Sequence, residues 1–348
     1  MQAHAPARGH RAIRVLLTLC LVLFSSSLPG AAQNTPLLSG GVGFFSSTFG
    51  GATTYYPIIE PLAALPLGQH FFVESRATLL ETYSPSGNST QGYQHSHFIG
   101  LTYLQGAAIA NSHLTVIGGS FLLPFGTYNE RLSPVWIGNF QDGPIIASLG
   151  VFGSGSGLGG QLRGSAISRA RYSLDYVAYF SARSNNTQFN ADRSSGGRVD
   201  LYLPEQRLEI GASYVRLLQG THENFSGMHV WWEPKDTNFR LRSEFARGQH
   251  AIGYWSEADY RLGGDSFWGR FEPLFRLQQT FRLNQNGGDS VPLVNTQRAD
   301  FGLDYNLPHN VRILTSYARQ FSSTENANVW ETGIVYRFLF PAWKGKGL

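Results

Sequence analysis

Cysteine is almost missing from this chain. Its 348 residues include one, Cys20, and only two methionines, one of them Met1. Beyond Cys20 there is no thiol, which excludes disulfides and thiol catalysis from the rest of the chain. Charge is scarce as well: Asp, Glu, Lys and Arg together make up 14%, no more than the aromatic residues alone. Lys235 is the only lysine between the N-terminal segment and the last few residues. Past that N-terminal segment no apolar run reaches the roughly eighteen residues a spanning helix needs. Gly-x-Ser-x-Gly, the phosphate-binding loop and the zinc-binding His-Glu-x-x-His helix do not occur, so the commonest nucleophile, nucleotide and metallopeptidase signatures are excluded.

What remains is rich in glycine, with 40 positions, and in aromatics. Few charges beside many glycines and aromatics is unlike a soluble enzyme. Residues 1–32 read as a secretory signal: Arg8, Arg11 and Arg14, an apolar stretch over 15–24, then Gly30, Ala31 and Ala32 before Gln33. Cys20 lies inside it after Leu19, where a lipoprotein signal needs a small residue, so no lipid anchor is read. The sequence ends in a tail carrying Lys344 and Lys346. Without these terminal bases, 22 basic residues stand against 23 acidic ones. Nothing in that balance points to nucleic acid.

From residue 33 to 348 the dominant signal is a period of two. Ala299, Phe301, Leu303 and Tyr305 alternate with Arg298, Asp300, Gly302 and Asp304. Trp330, Ile334, Tyr336, Phe338 and Phe340 share one face of the last run, with Glu331 and Arg337 on the other. Sixteen such runs are read, at 41–48, 53–65, 71–83, 93–104, 113–122, 158–167, 172–183, 197–204, 208–218, 227–234, 238–247, 251–262, 267–282, 296–306, 310–321 and 329–340. Tight turns fall near 204–206, 234–237, 263–265 and 307–310. Longer polar segments fall at 184–196, 219–226 and 283–295. An exported chain with this alternation and no spanning helix satisfies its backbone in lipid only as a closed barrel. The fold expected is therefore all-β: a transmembrane antiparallel β-barrel of about sixteen strands. Charges on the polar faces belong inside, because a charge facing lipid at the midplane costs about 2–4 kcal/mol.

Residues 123–157 break the rhythm and hold no clean strand. A segment this long is functional or marks a wrong assignment. Folded inward, it would narrow the lumen. The order Gly118-Gly119-Ser120-Phe121-Leu122-Leu123-Pro124-Phe125-Gly126 resembles the outer-membrane porin superfamily that includes the phosphate-selective porins O and P, where a glycine-bearing strand runs into Pro-Phe-Gly and a constricting loop. The glycine-rich run at 158–164 and Tyr172-Ser173-Leu174-Asp175-Tyr176 follow in the same order. The alternating, Phe-ended last strand resembles the assembly signal of bacterial outer-membrane barrels, although residues 341–348 extend past Phe340. The resemblance implies a water-filled channel for passive diffusion of small polar or ionic solutes. It also implies a homotrimer in outer-membrane lipid, inserted by the barrel assembly machinery. Phosphate choice in that family rests on clustered bases at the constriction, whereas here Arg131 stands alone beside Glu130 and Asp142.

The candidate constriction comprises Pro124, Phe125, Gly126, Glu130, Arg131, Trp136 and Asp142, with Glu130 and Arg131 read as a charged pair. The candidate water-facing ladder comprises Arg198, Arg240, Arg242, Arg261, Arg270, Arg276, Arg298, Arg312 and Arg337. Equal in number are Asp200, Glu209, Glu244, Glu257, Asp259, Glu272, Asp300, Asp304 and Glu331. No catalytic residue, cofactor or metal is expected. His95 and His97 share a strand face but lack an evident third ligand. The alternative is a barrel hydrolase with a rim site drawn from Ser226, Ser290, His222 and His250.

Overall fold

The computed structural model describes residues 36–86, 92–146, 155–220, 222–264, 266–284, 292–324 and 326–341. The signal read at 1–32 and the tail at 342–348 lie outside these. In chain order the strands are β1 (Leu37–Phe49), β2 (Ala52–Leu67), β3 (Phe71–Pro85), β4 (Tyr93–Asn111), β5 (Leu114–Leu122), β6 (Ser156–Ser168), β7 (Ser173–Ala182), β8 (Ser184–Asn186), β9 (Phe189–Ala191), β10 (Ser194–Leu203), β11 (Leu208–Leu217), β12 (Asn224–Trp232), β13 (Phe239–Arg247), β14 (Ala251–Tyr260), β15 (Phe271–Arg282), β16 (Thr296–Leu307), β17 (Val311–Ser322) and β18 (Asn326–Pro341). All but β8 and β9 close one antiparallel barrel, sealed where β1 pairs with β18. β8 and β9 form a separate small hairpin between β7 and β10.

Each of the sixteen expected runs coincides with a barrel strand. The largest length error is β4, which continues to Asn111 rather than 104. Its later residues, Gly106 to Ala110, carry too little alternation to be seen. Arg270 was read within a strand and instead ends a short 3-10 turn, Trp268–Arg270, just before β15.

Side-chain direction follows the period. Phe301, Trp330, Ile334, Tyr336 and Phe340 are exposed on the outer wall. Aromatics meet there across strand pairs: Phe275 on Phe301 with ring centroids 5.0 Å apart, and Tyr317 on Trp330 at 4.6 Å. Outward apolar and inward charged residues are what lipid outside and polar space inside demand.

The connections sort by rim. One rim receives residues 68–70, 112–113, 169–172, 204–207, 233–238, 261–270 and 308–310, together with both barrel termini. At the opposite rim β3 ends and β4 begins, as do β5 and β6, β7 and β10, β11 and β12, and β15 and β16, the pairs separated by longer stretches of chain. That rim also carries tight links at 50–51, 248–250 and 323–325, so the sorting is not absolute. At 50–51, Gly50 and Gly51 both have positive φ (56° and 83°), the backbone of a two-residue hairpin turn.

Candidate functional site

The chain leaving β5 turns into the barrel. Leu123, Phe125, Leu132 and Ile146 pack against wall residues Phe121, Tyr179, Val215, Phe225, Ala246, Ala251 and Trp255 in one apolar cluster. Burying these side chains inside the lumen is the main force that seats the segment. Gly126 makes the bend possible. Its φ is +59°, and a Cβ there would collide with the Glu244 carboxylate. A single π-helical turn, Tyr128–Leu132, follows.

Polar groups fasten this loop to most of the circumference. On the β10–β13 side, the Gly126 N–H donates to Ser213 Oγ at 3.0 Å, and Arg198 Nη1 donates to the Gly126 carbonyl at 2.8 Å. Glu244 accepts the Thr127 N–H at 3.0 Å. On the β2–β3 side, Glu60 accepts the Val135 N–H at 2.7 Å and Arg76 Nη2 donates to Ser133 Oγ at 3.0 Å. On the β14–β17 side, Asn139 donates to Glu257 and Asp259, Gln278 accepts the Ile145 N–H, and Arg312 donates to the Gly138 carbonyl. Trp136 packs beside Val135 against the cluster of Phe45, Leu314 and Val335 on β1, β17 and β18.

The candidate constriction residues lie along one loop but in separate wall contacts, Phe125 in one apolar cluster and Trp136 in another. Glu130 and Arg131 do not pair with each other. Glu130 bonds Arg163 at 2.6 Å and Arg198 at 2.8 Å. Arg131 bonds Glu209 at 2.6 Å and stacks over Trp231, whose other contact of this kind is Arg242. Neighbours on a helical turn diverge by roughly a quarter turn, so each reaches a different stretch of wall. Burial pushes the Glu130 carboxyl up, but Arg198 and Arg163 outweigh it and hold the group below its ordinary range. Asp142 bonds Arg298 at 3.1 Å.

A correction concerns the ladder. Arg242, Glu244, Glu257, Asp259, Glu272, Arg276, Arg298, Asp300, Asp304 and Glu331 do point inward, but they are buried rather than water-facing. The loop reaches Glu244, Glu257, Asp259, Arg276 and Arg298 directly. A cavity between loop and wall, lined by Phe140, Asp142, Arg242, Trp255 and Arg276, measures about 10 Å³, about the space of a single water. The charges there neutralise one another: Arg242 with Glu257 and Asp259, Arg276 and Arg298 with Asp300, Arg298 with Glu331. A buried charge without such a partner would be expensive. Arg240, Arg261 and Arg312 are less covered and meet Asp259, Glu272 and Asp304. Arg337 shares the inward parity of Glu331 and is exposed.

Open space begins past the loop. One cavity of about 270 Å³ is lined by Arg207, Glu233, Arg240, Asp259, Arg261 and Glu272. Another of about 140 Å³ is lined by Arg131, Tyr202, Arg207, Glu209, Trp231 and Glu233. They share Arg207 and Glu233 and lie toward the short-turn rim. Sequence reading missed Glu60, Arg76, Ser213, Trp231 and Gln278 as loop partners, because their strands are far from residues 123–157 in the chain. It also missed His229, which lies 3.3 Å from both Asp200 and Glu209.

The rim hydrolase finds no support. Ser226 is exposed on β12, on the same face as outward Met228, whereas His250 is engaged by Glu223 and Asn284. Ser290 lies outside the described residues. His95 contacts Glu81 and lies beside His97 on an exposed stretch of β4.

No protein-family model matches the sequence, and no curated protein matches it. Solved structures do match the fold. A Salmonella typhi OmpF complex with daunomycin superposes with a TM-score of 0.58 at 14% identity, covering 88% of this chain and 98% of that one. The anion-selective porin from Comamonas acidovorans gives 0.55 at 12% identity, covering 88% and 100%. Pseudomonas aeruginosa OccK5 (OpdH) gives 0.54 at 11% identity, covering 89% and 99%. The chain therefore has the sixteen-stranded barrel fold of the outer-membrane porins.

Proposed function

We propose that this protein is a porin-like channel of the bacterial outer membrane, through which small polar or ionic solutes diffuse passively. The observation that carries the reading is the closed sixteen-stranded barrel with an apolar outer wall and an inward loop held by charge. The loop acts as the constriction. Its charges are committed to wall partners, so the field at the narrowest point is small and no strong preference for one sign follows. For that reason the Pro124-Phe125-Gly126 resemblance extends to loop architecture and not to phosphate selectivity: Arg131 is the only base of the loop, and Glu209 neutralises it. Because the loop reaches so much of the wall, the expected conductance is small for a sixteen-stranded barrel. Export on the signal at 1–32, recognition of the last strand by the barrel assembly machinery and a homotrimer in outer-membrane lipid complete the reading.

Single-channel recording in a planar bilayer under a salt gradient tests it. Discrete small steps with a reversal potential close to zero are expected. A folded, heat-modifiable barrel that never conducts would overturn the channel.

A further inference from the structure

One group of side chains beside the loop includes a buried histidine, His229, that the channel reading does not use. Asp200, Glu209 and His229 come from the neighbouring strands β10, β11 and β12. Register brings two of them together: Gly211 on β11 pairs with Asp200 on one side and with His229 on the other. Gly211 has no side chain, and a Cβ there would collide with both the His229 ring and the Asp200 carboxylate. Asp200 and His229 therefore meet over it.

The donor geometry is specific. His229 Nε2 lies 3.3 Å from Asp200 Oδ1 and 3.3 Å from Glu209 Oε1. One donor atom from each residue falls within 4.8 Å of the others. The contact to Glu209 is a long hydrogen bond, beyond the usual range of roughly 2.7–3.2 Å. The edge of a tetrahedron around an ion bound at about 2.0–2.1 Å is roughly 3.3–3.4 Å long. Asp200 Oδ1 is buried and has no hydrogen-bond partner among the described residues, while Oδ2 accepts from Arg198 Nε at 2.8 Å. The His229 side chain has no exposed surface at all.

We propose that Asp200, Glu209 and His229 form a lumen site for a divalent transition-metal ion of the zinc type, bound by one imidazole nitrogen and two carboxylate oxygens. A fourth position, filled by water or a solute group, opens toward the cavity that Glu209 lines with Arg131, Tyr202 and Trp231. That cavity is also the entry path. Arg198 holds Asp200 through Oδ2, as outer partners of metal ligands do, whereas Arg131 donates to the same Glu209 Oε1 that faces His229 and would share that oxygen with the ion. They also offset the carboxylate charge, so the site binds more weakly than a closed structural zinc centre. A nitrogen and two oxygens suit zinc over calcium or magnesium, which prefer oxygen alone.

The test uses the whole barrel, folded in detergent and stripped with a chelator. Zn²⁺ alone is titrated in and the bound ion is counted by mass spectrometry; Co²⁺ is then substituted for its visible absorption. One ion per chain is expected, with His229→Gln lowering affinity at least tenfold and abolishing the Co²⁺ bands. The exposed pair His95→Ala/His97→Ala serves as control and should bind as before. Folding of each variant is read from heat-modifiable migration. Should His229→Gln not fold, Glu209→Gln, at the cavity edge, replaces it with the same expectation. No retained zinc in the unaltered protein, zinc retained equally in the His229 and Glu209 variants, or zinc lost with the His95/His97 control would each overturn the site. The readout does not involve conduction, so failure of the channel reading and failure of this one are separable.

Discussion

The Glu244 carboxylate on β13 accepts the backbone N–H of Thr127 at 3.0 Å, from a residue 117 positions earlier in the chain. It also lies 3.4 Å from the Tyr128 N–H. This is a buried side-chain acceptor closing the start of a helical turn, and the missing Cβ of Gly126 is what lets it approach. The contact decides where the loop enters the lumen. Removing it leaves two N–H groups without their acceptor, at about 1–3 kcal/mol for each buried group left unsatisfied.

Glu244→Ala should therefore loosen the loop while leaving the barrel closed. The expected result is larger and noisier conductance steps with unchanged heat-modifiable migration. Steps identical to those of the unaltered protein would show that the loop is held without this contact.

Arg131→Ala should shift selectivity toward cations. Glu209 then loses its 2.6 Å partner and faces the cavity uncompensated. Glu130→Gln should shift it the other way, because Arg163 and Arg198 each lose a carboxylate. Reversal potentials under a salt gradient measure both. Shifts of the same sign, or none, would remove these two residues from the conduction path.

The Glu130 pair also sets an acid limit. Its carboxyl is held below the ordinary value of 4.5 because two arginines outweigh its burial. A depressed folded pKa contributes stability that is present above the unfolded value and is lost as pH falls through the folded value. The Glu130 contribution to loop docking should therefore be constant from neutrality down to 4.5 and be lost only below it, as followed by comparing protease cleavage within residues 123–146 in the unaltered protein and in Glu130→Gln. Glu130→Gln should reduce that acid-induced change, the remainder coming from the Asp142–Arg298 and Glu209–Arg131 pairs.

Much of this was legible in the sequence because lipid imposes a strict rule on each strand. Phe301 must face out and Asp300 in, and a period of two reveals both without tertiary knowledge. The loop was legible only as an interruption. Glu130 and Arg131 are neighbours in sequence, which shows a charged pair but not its partners; on a helical turn they diverge and find Arg163, Arg198 and Glu209 on different strands. The ladder failed in a similar way: inward direction is local, whereas covering by Phe140 and Asp142 depends on where a distant loop settles. Gly211 shows the limit most clearly. A strand glycine looks neutral in sequence, yet register makes it the space in which Asp200 and His229 meet.

The single cysteine, Cys20, lies in the segment read as a cleaved signal, so any thiol introduced later would be unique. This allows burial under the loop to be measured directly. Arg131 lines an open cavity and its side chain is 35% exposed. Ser213 lies beneath the Gly126 backbone and the residue is 5% exposed. In the folded barrel Arg131→Cys should react rapidly with a water-soluble thiol reagent, and its modification should reduce conductance. Ser213→Cys is close in size to the serine it replaces and should resist the reagent until the loop is released. Coupling it with Glu244→Ala should expose it, because both residues bind the same bend of the loop. Equal reactivity at 131 and 213 in the unaltered loop background would mean that the segment does not fill the lumen on that side, and the constriction would have to be sought elsewhere along the wall.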